Sequence, residues 1–77
     1  MSILPMLRAS EIIRTLEKAG FTVVRQSGSH MQLRHRDDPE RHATVAMHSR
    51  DISRKNLRSI LRQAKISVPE FLHLLKN

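Results

Sequence analysis

Apolar residues recur at helical spacing in three segments of the chain. In the first segment, the apolar residues that share one helical face are Ile12, Ile13, Leu16 and Ala19. Ser10 is of a type that caps helix starts and Gly20 of a type that ends helices, so the segment predicts an amphipathic helix of about ten residues. Ser53 predicts the start of a second helix, whose apolar face consists of Leu57, Ile60, Leu61 and Ala64. Ser67 and Glu70 have the spacing of a capping box and predict a short C-terminal helix.

Between the first two helices the pattern changes to that of β-strands. Phe21–Gln26 is rich in strand-forming residues, and His30–Arg36 alternates between polar and apolar positions. A third short apolar run covers Ala43–Met47. Turn-forming residues at 27–29 and 36–41 separate the strands, which predicts an antiparallel meander. The order α-β-β-β-α with a further short helix indicates an α+β domain, in which a three-stranded antiparallel sheet packs on helices.

The composition limits the chain to one small domain that attracts polyanions. Its 77 residues include no cysteine, which excludes disulfides, thiolate zinc sites and cysteine nucleophiles. Fourteen lysines and arginines oppose seven acidic residues, and the net charge of +7 favours nucleic acid as a partner. Phe21 and Phe71 are the only residues of the types Phe, Tyr and Trp, which disfavours binding by stacking of bases on aromatic rings. No apolar run is long enough to span a membrane, and Met1–Met6 does not resemble a signal peptide, so we expect a cytoplasmic protein with no membrane partner.

Much of the positive charge lies on and just before the second predicted helix. The basic residues of this segment are Arg50, Arg54, Lys55, Arg58, Arg62 and Lys65. Several of them recur every four residues and form a stripe that faces away from the apolar side of the helix. Asp51 is the only acid nearby, so pairing with carboxylates does not account for the stripe. We favour phosphate binding over a merely solvated helix face.

Histidine is the residue type that remains for catalysis once other chemistries are excluded. The sequence has no glycine-rich phosphate loop, and its acids do not cluster as the metals of a Mg²⁺ nuclease require. Asp37 and Asp38 are better explained as parts of a solvated turn. His30 and His35 point to opposite faces of one predicted strand and cannot share an ion, so we expect no metal site and no cofactor.

His30 has the position best suited to acid–base chemistry. It follows Gly28 and Ser29 at the entrance of the second strand, on the same polar face as Arg34. A glycine at this place permits close approach of a ligand. In an RNA-cleaving enzyme, such a histidine deprotonates the ribose 2′-hydroxyl or protonates the leaving 5′-oxygen. The alternative is an exposed strand histidine without a catalytic role. His48 or a lysine is a candidate for a second acid–base group.

In combination, these residues resemble the HicA family of type II toxin–antitoxin systems, also called YcfA-like. The matching features extend from residue 9 to about residue 75 and comprise Ser10–Phe21, Gly28-Ser29-His30, His35, Val45, His48, Leu57–Ala64 and Ile66-Ser67. Three departures from the family pattern lie in turns or in the basic helix. Arg36 stands where many members have proline, Lys55-Asn56 where glycine and threonine are common, and Lys65 where a glycine is usual.

The resemblance implies a fold like that of a double-stranded-RNA-binding domain for residues 9–77, with residues 1–8 as an N-terminal extension. It also implies an mRNA interferase, a ribonuclease that cleaves transcripts, inhibits translation and is neutralised by a HicB antitoxin. The family's catalytic histidine lies in the Gly-Ser-His motif and maps onto His30.

We therefore predict a metal-independent endoribonuclease toxin in which His30 is the general acid or base. The residues predicted to bind the RNA substrate are Gly28, Ser29, Arg34, Arg50, Arg54, Lys55, Arg58 and Arg62. Two alternatives stay open. One is a non-catalytic RNA-binding module with the same fold, and the other is a protein whose basic surface binds only an acidic antitoxin.

Overall fold

The computed structural model describes residues 4–47 and 51–77, and its element order confirms the predicted α+β fold. The elements are α1 (Ala9–Lys18), β1 (Phe21–Ser27), β2 (His30–His35), β3 (His42–Ala46), α2 (Arg54–Ala64) and α3 (Val68–Lys76). The three strands form one antiparallel sheet in the order β1-β2-β3. α1 packs against β1 and β3, α2 packs against β3, and α3 lies against both of these helices. This arrangement is like that of a double-stranded-RNA-binding domain.

The sheet has a buried inner face and an exposed outer face. Leu33, Ala43 and Val45 point inward and are each at most 1% exposed, whereas His30 and Thr44 point outward and are exposed. The strict alternation in β2 and β3 is the period of two that a half-buried strand requires. The register shifts by one residue between Val23 and Arg25, which marks a β-bulge in β1. The outer face is therefore left open, while the helices cover the inner one.

The helix starts agree with the sequence in two cases and differ in one. The hydroxyls of Ser53 and Ser67 accept hydrogen bonds from backbone N–H groups three residues later, as expected of N-caps. The prediction of Ser10 as the cap of α1 is wrong, because that helix starts at Ala9 and its N-cap is Arg8. The Arg8 N–H donates to the Glu11 carboxylate at 3.1 Å, so the acidic residue at N3 satisfies the helix start in place of a serine.

Gly20 joins α1 to β1 in a conformation that requires glycine. Its φ is +101°, and a Cβ built there would lie 2.8 Å from Nε2 of His35. The His35 ring is partly buried, with its Nε2 3.0 Å from the Ala19 carbonyl oxygen and its edge against Phe21. His35 therefore packs at the junction of α1 and β1, on the face of the strand opposite to His30.

The segment before α1 packs onto the core. Leu4 is fully buried and Leu7 is 7% exposed. Leu7 forms an isolated antiparallel bridge with Ile52, whose N–H donates to the Leu7 carbonyl at 2.7 Å. The Arg54 guanidinium donates from Nε to the Leu4 carbonyl at 2.6 Å. The predicted boundary between residues 8 and 9 stays a prediction, but residues 4–8 share the hydrophobic core of the helices and sheet.

Within residues 4–47 and 51–77, each helix is too short or too polar to cross a bilayer.

Candidate active site and nucleic-acid interface

A two-residue turn and the ladder between β2 and β3 hold His30 in place. Gly28 and Ser29 connect β1 to β2, and Gly28 has the left-handed φ of +59° that glycine adopts freely. The Met47 N–H donates to the Ser29 carbonyl, so the turn is hydrogen-bonded to the end of β3. His30 is the first residue of β2 and pairs with Ala46. Its side chain is exposed on the outer face, as the alternation predicts.

His30 lies at the wall of a cleft of about 660 Å³. The sheet side of this cleft consists of outward-facing residues of β2 and β3, and the opposite side consists of α2 and the residues just before it. The lining residues are His30, Thr44, Ala46, Asp51, Ile52, Ser53, Asn56, Ser59, Ile60 and Gln63. The volume of this cleft lies in the range of small-molecule sites, and an exposed histidine at its edge has the access that general acid–base catalysis needs.

The wall that α2 contributes to the cleft is polar and uncharged. Asn56, Ser59 and Gln63 are spaced by three and four residues and so lie on one side of the helix. The Gln63 side chain is only partly buried, yet its Oε1 is shielded from solvent and has no hydrogen-bond partner among the described residues. One residue of the cleft wall therefore has an acceptor without a partner among the described residues, on an atom that is shielded from solvent.

The members of the predicted basic stripe that the structure describes form an exposed face of α2, but they do not line the cleft. Arg54, Lys55, Arg58 and Arg62 are all exposed. Within residues 4–47 and 51–77, the cleft is lined by no lysine or arginine, and its one carboxylate is that of Asp51. Lys55 and Arg62 are four and three residues from Ser59 and border the cleft side of the helix, whereas Arg54 and Arg58 lie farther round it.

Two of the basic residues on α2 also have structural partners. Arg54 donates its Nε hydrogen to the Leu4 carbonyl, which leaves the other N–H groups of its guanidinium for a ligand. Lys65 lies 3.8 Å from the Glu40 carboxylate, and both side chains are well exposed, so the pair is weak. The structural partners of Arg54 and Lys65 therefore leave both side chains able to bind phosphate.

Arg34 lies on the same outer face as His30 but in a neighbouring groove. This smaller groove, of about 210 Å³, is lined by residues of all three strands, among them Arg34, Gln32 and His42. Thr44 lines both cavities and so marks the point where they adjoin. The structure thus places His30 and Arg34 on one face of the sheet, with Gly28 and Ser29 in the turn before the histidine and Arg34 one groove away from it.

Two residues for which the sequence predicts a role lie outside the described residues. These are Arg50, predicted to bind substrate, and His48, the candidate for a second acid–base group. In the part of the chain that the structure describes, no three histidine, aspartate or glutamate side chains come together as a metal-binding cluster.

Sequence reasoning did not find the polar side of α2. Asn56, Ser59 and Gln63 have the three- and four-residue spacing of a helix face, but surface helices commonly expose such residues without any function. The only signal available from the sequence was that this face lacks charge in a segment where basic residues dominate.

The fold defines a small α+β protein of the double-stranded-RNA-binding-domain type, with an open sheet face and a basic helix beside it. The family model for the HicA toxin of bacterial toxin–antitoxin matches residues 9–66, from α1 through α2. The chain belongs to this toxin family, and the resemblance seen in its sequence is confirmed. It is the toxin of a toxin–antitoxin pair, and an antitoxin is its partner. Comparison with the curated proteins gives no match.

Proposed function

We propose that the protein is a metal-independent endoribonuclease that cleaves mRNA and thereby inhibits translation. The observation that carries the proposal is the exposed His30 at the wall of a nucleotide-sized cleft, beside a helix with a basic face. Membership of a toxin family supports an activity that harms the cell, and the net charge of +7 supports RNA as the target.

The proposed reaction is a transesterification within the RNA chain. The ribose 2′-hydroxyl loses its proton and attacks the adjacent phosphorus, and the bond from phosphorus to the 5′-oxygen breaks. The leaving oxygen gains a proton, so the products are a 2′,3′-cyclic phosphate and a 5′-hydroxyl. His30 performs one of these two proton transfers. This route requires no metal ion, because the nucleophile belongs to the substrate.

The basic residues hold the RNA backbone in this proposal. Arg34 on the sheet and Lys55 and Arg62 on α2 contact the phosphates next to the bond that is cut, and their exposure supports this role. Arg54 and Arg58 extend the contact along α2. One of these cations stabilises the negative charge that develops on the phosphorane. Arg50 belongs to the same predicted set.

A HicB-like antitoxin is the proposed partner that neutralises the toxin. An acidic protein surface fits the same cations that bind phosphate, and an antitoxin that covers His30 and the basic face of α2 blocks RNA directly. The proposed site of action is the cytoplasm, where mRNA is translated.

The decisive experiment compares the wild type with His30→Ala, using purified protein and a transcript in buffer with EDTA. We expect the wild type to cleave the RNA and leave 2′,3′-cyclic phosphate ends, and the variant to lose at least about 100-fold in rate. Induced expression should arrest growth with the wild type and not with the variant. His73→Ala is the matched control, because His73 is an exposed histidine of α3 that lines neither cavity.

Three outcomes contradict parts of the proposal. Cleavage by His30→Ala at the wild-type rate removes His30 from the mechanism. Loss of wild-type cleavage in EDTA points to a metal-dependent reaction. Tight RNA binding by the wild type without any cleavage favours the non-catalytic RNA-binding module.

A further inference from the structure

The cleft beside His30 has a chemistry that differs from that of a phosphate site. Asp51 contributes a carboxylate to it, and the polar groups opposite the sheet are the amides of Asn56 and Gln63 and the hydroxyl of Ser59. A carboxylate repels a phosphate group, whereas amide, hydroxyl and carboxylate groups all hydrogen-bond to the edges of bases. Within the described residues, the lysines and arginines that fit phosphate lie outside this cleft.

The cleft also offers aliphatic surface on which a flat ring can lie. Ile52 and Ile60 are mostly buried, at 6% and 5% exposed, and both line the cleft. Their few solvent-accessible atoms therefore form an apolar part of its wall. Ala46 adds a small side chain on the sheet side. A base that leaves its stack is commonly held between apolar side chains and identified by hydrogen bonds at its edge. Aliphatic walls supply such a surface in a chain that has few aromatic residues.

The Gln63 amide shows which kind of base edge fits. Its Oε1 is shielded from solvent and has no hydrogen-bond partner among the described residues. An unsatisfied acceptor of this kind is stabilised by any ligand that brings a donor to it. The terminal amide torsion of a glutamine is broad and roughly two-fold, so Gln63, which lines the cleft and is only partly buried, can present this oxygen there. The Asp51 carboxylate is a second acceptor in the same cleft.

We propose that this cleft is a base-selecting subsite that binds one unstacked nucleobase with an exocyclic amino group. Gln63 accepts a hydrogen bond from the amino group, Asp51 provides a second acceptor, and Ile52 and Ile60 contact the ring. Adenine, cytosine and guanine have such an amino group and uracil does not. The inference rests on the proposed function, because it places the selected base next to the phosphodiester that His30 acts on.

The experiment measures binding and cleavage of short RNA oligonucleotides that differ only in the amino group. Adenosine is compared with purine riboside, and cytidine with its analogue that lacks the 4-amino group. Binding is measured by fluorescence anisotropy with His30→Ala, and cleavage rates are measured with the wild type. We expect the amino-bearing oligonucleotides to bind about three- to tenfold more tightly, and their cleavage to show a preference in the same direction.

Gln63 variants test whether this residue reads the amino group. In the His30→Ala background, Gln63→Leu should bring the ratio of affinities close to one, while Gln63→Glu retains an acceptor and should keep a preference. Gln26→Leu is the matched control, because Gln26 is an exposed glutamine of β1 that lines neither cavity. Circular dichroism and thermal melting establish that each variant is folded.

The outcomes separate this inference from the proposed function. Equal binding of oligonucleotides with and without the amino group overturns the base-selecting subsite, even if the wild type cleaves RNA. An unchanged ratio in folded Gln63→Leu overturns the role of Gln63. If the wild type cleaves no RNA but its His30→Ala variant binds amino-bearing bases more tightly, the subsite stands and the endoribonuclease proposal fails.

Discussion

Lys65 ends α2 in a backbone conformation that favours glycine. Its φ of 58° and ψ of 42° are left-handed, which costs an ordinary residue about 1–2 kcal/mol. The Lys65 N–H donates to the Arg62 carbonyl, and the Ile66 N–H reaches back to the Leu61 carbonyl at 3.0 Å, as in a Schellman motif. This is the position at which the family resemblance leads one to expect a glycine. The reason for that glycine is thus the geometry of the helix end.

We expect Lys65→Gly to raise the free energy of unfolding by up to about 1 kcal/mol. The relief of left-handed strain exceeds the entropy that glycine adds to the unfolded chain, while the exposed pair with Glu40 contributes little. Urea unfolding followed by circular dichroism measures the change. Lys65→Ala is the control, since it removes the ion pair but keeps a Cβ and should bring no gain. If the glycine variant were no more stable than the alanine variant, strain at Lys65 would not explain the position.

At the same scale, the sequence predicted the orientation of His30 but not the place of Gln63 in the cleft wall. Strand alternation depends only on neighbouring residues, so the exposure of His30 and the partial burial of His35 follow from the pattern of β2. The burial of Gln63 Oε1 depends on how α2 sits against the edge of the sheet. The packing of α2 against the sheet is a tertiary contact, which a local sequence pattern does not reveal.

Among the elements, α2 has three sides that face the core, the solvent and the cleft. One side packs in the core through Leu57, Leu61 and Ala64, a second carries the exposed cations, and a third lines the cleft with amides and a hydroxyl. The first two sides follow from apolar and charged periodicity and were predictable. The separation of the cations from the cleft is what the structure adds, because the sequence alone does not show where the stripe lies relative to His30.

The N-terminal segment contributes to the core although its sequence has no regular period. Leu4 and Leu7 are buried although they belong to no helix and to no strand of the sheet, and Pro5 lies between them. Their backbone carbonyls accept hydrogen bonds from Arg54 and Ile52, next to the cleft. An analysis of hydrophobic periodicity therefore does not predict that such a segment is buried.

Leu4→Ala should therefore destabilise the fold by about 2–5 kcal/mol, the usual cost of emptying a buried leucine site. Thermal or urea unfolding measures the loss. Met6→Ala is the matched control, because Met6 is 49% exposed and its truncation should change stability by less than about 0.5 kcal/mol. Equal behaviour of the two variants would show that residues 4–8 are an appendage rather than part of the domain.

At the scale of the whole molecule, the charged side chains are distributed unevenly around the proposed site. The net charge of +7 was evident from composition, and the α+β order followed from local patterns, because each helix and strand is long enough to show its period. Composition could not show that the cleft itself is lined by a carboxylate and neutral groups while cations lie on the adjoining helix face. In our proposals, phosphate contact and base contact therefore belong to two different surfaces.

If the exposed cations of α2 bind phosphates, their contribution must appear in the salt dependence of RNA binding. Each phosphate contact releases counterions and adds about 0.7 to the slope of log affinity against log salt for a single strand. We expect Arg58→Gln to reduce the slope by about this amount, equally for all RNA sequences, when binding is measured with His30→Ala. Arg14→Gln removes the same charge from an exposed position on α1 and should leave the slope nearly unchanged. Equal reductions in the two variants would mean that RNA senses only the net charge, and the basic face of α2 would then not be the phosphate-binding surface.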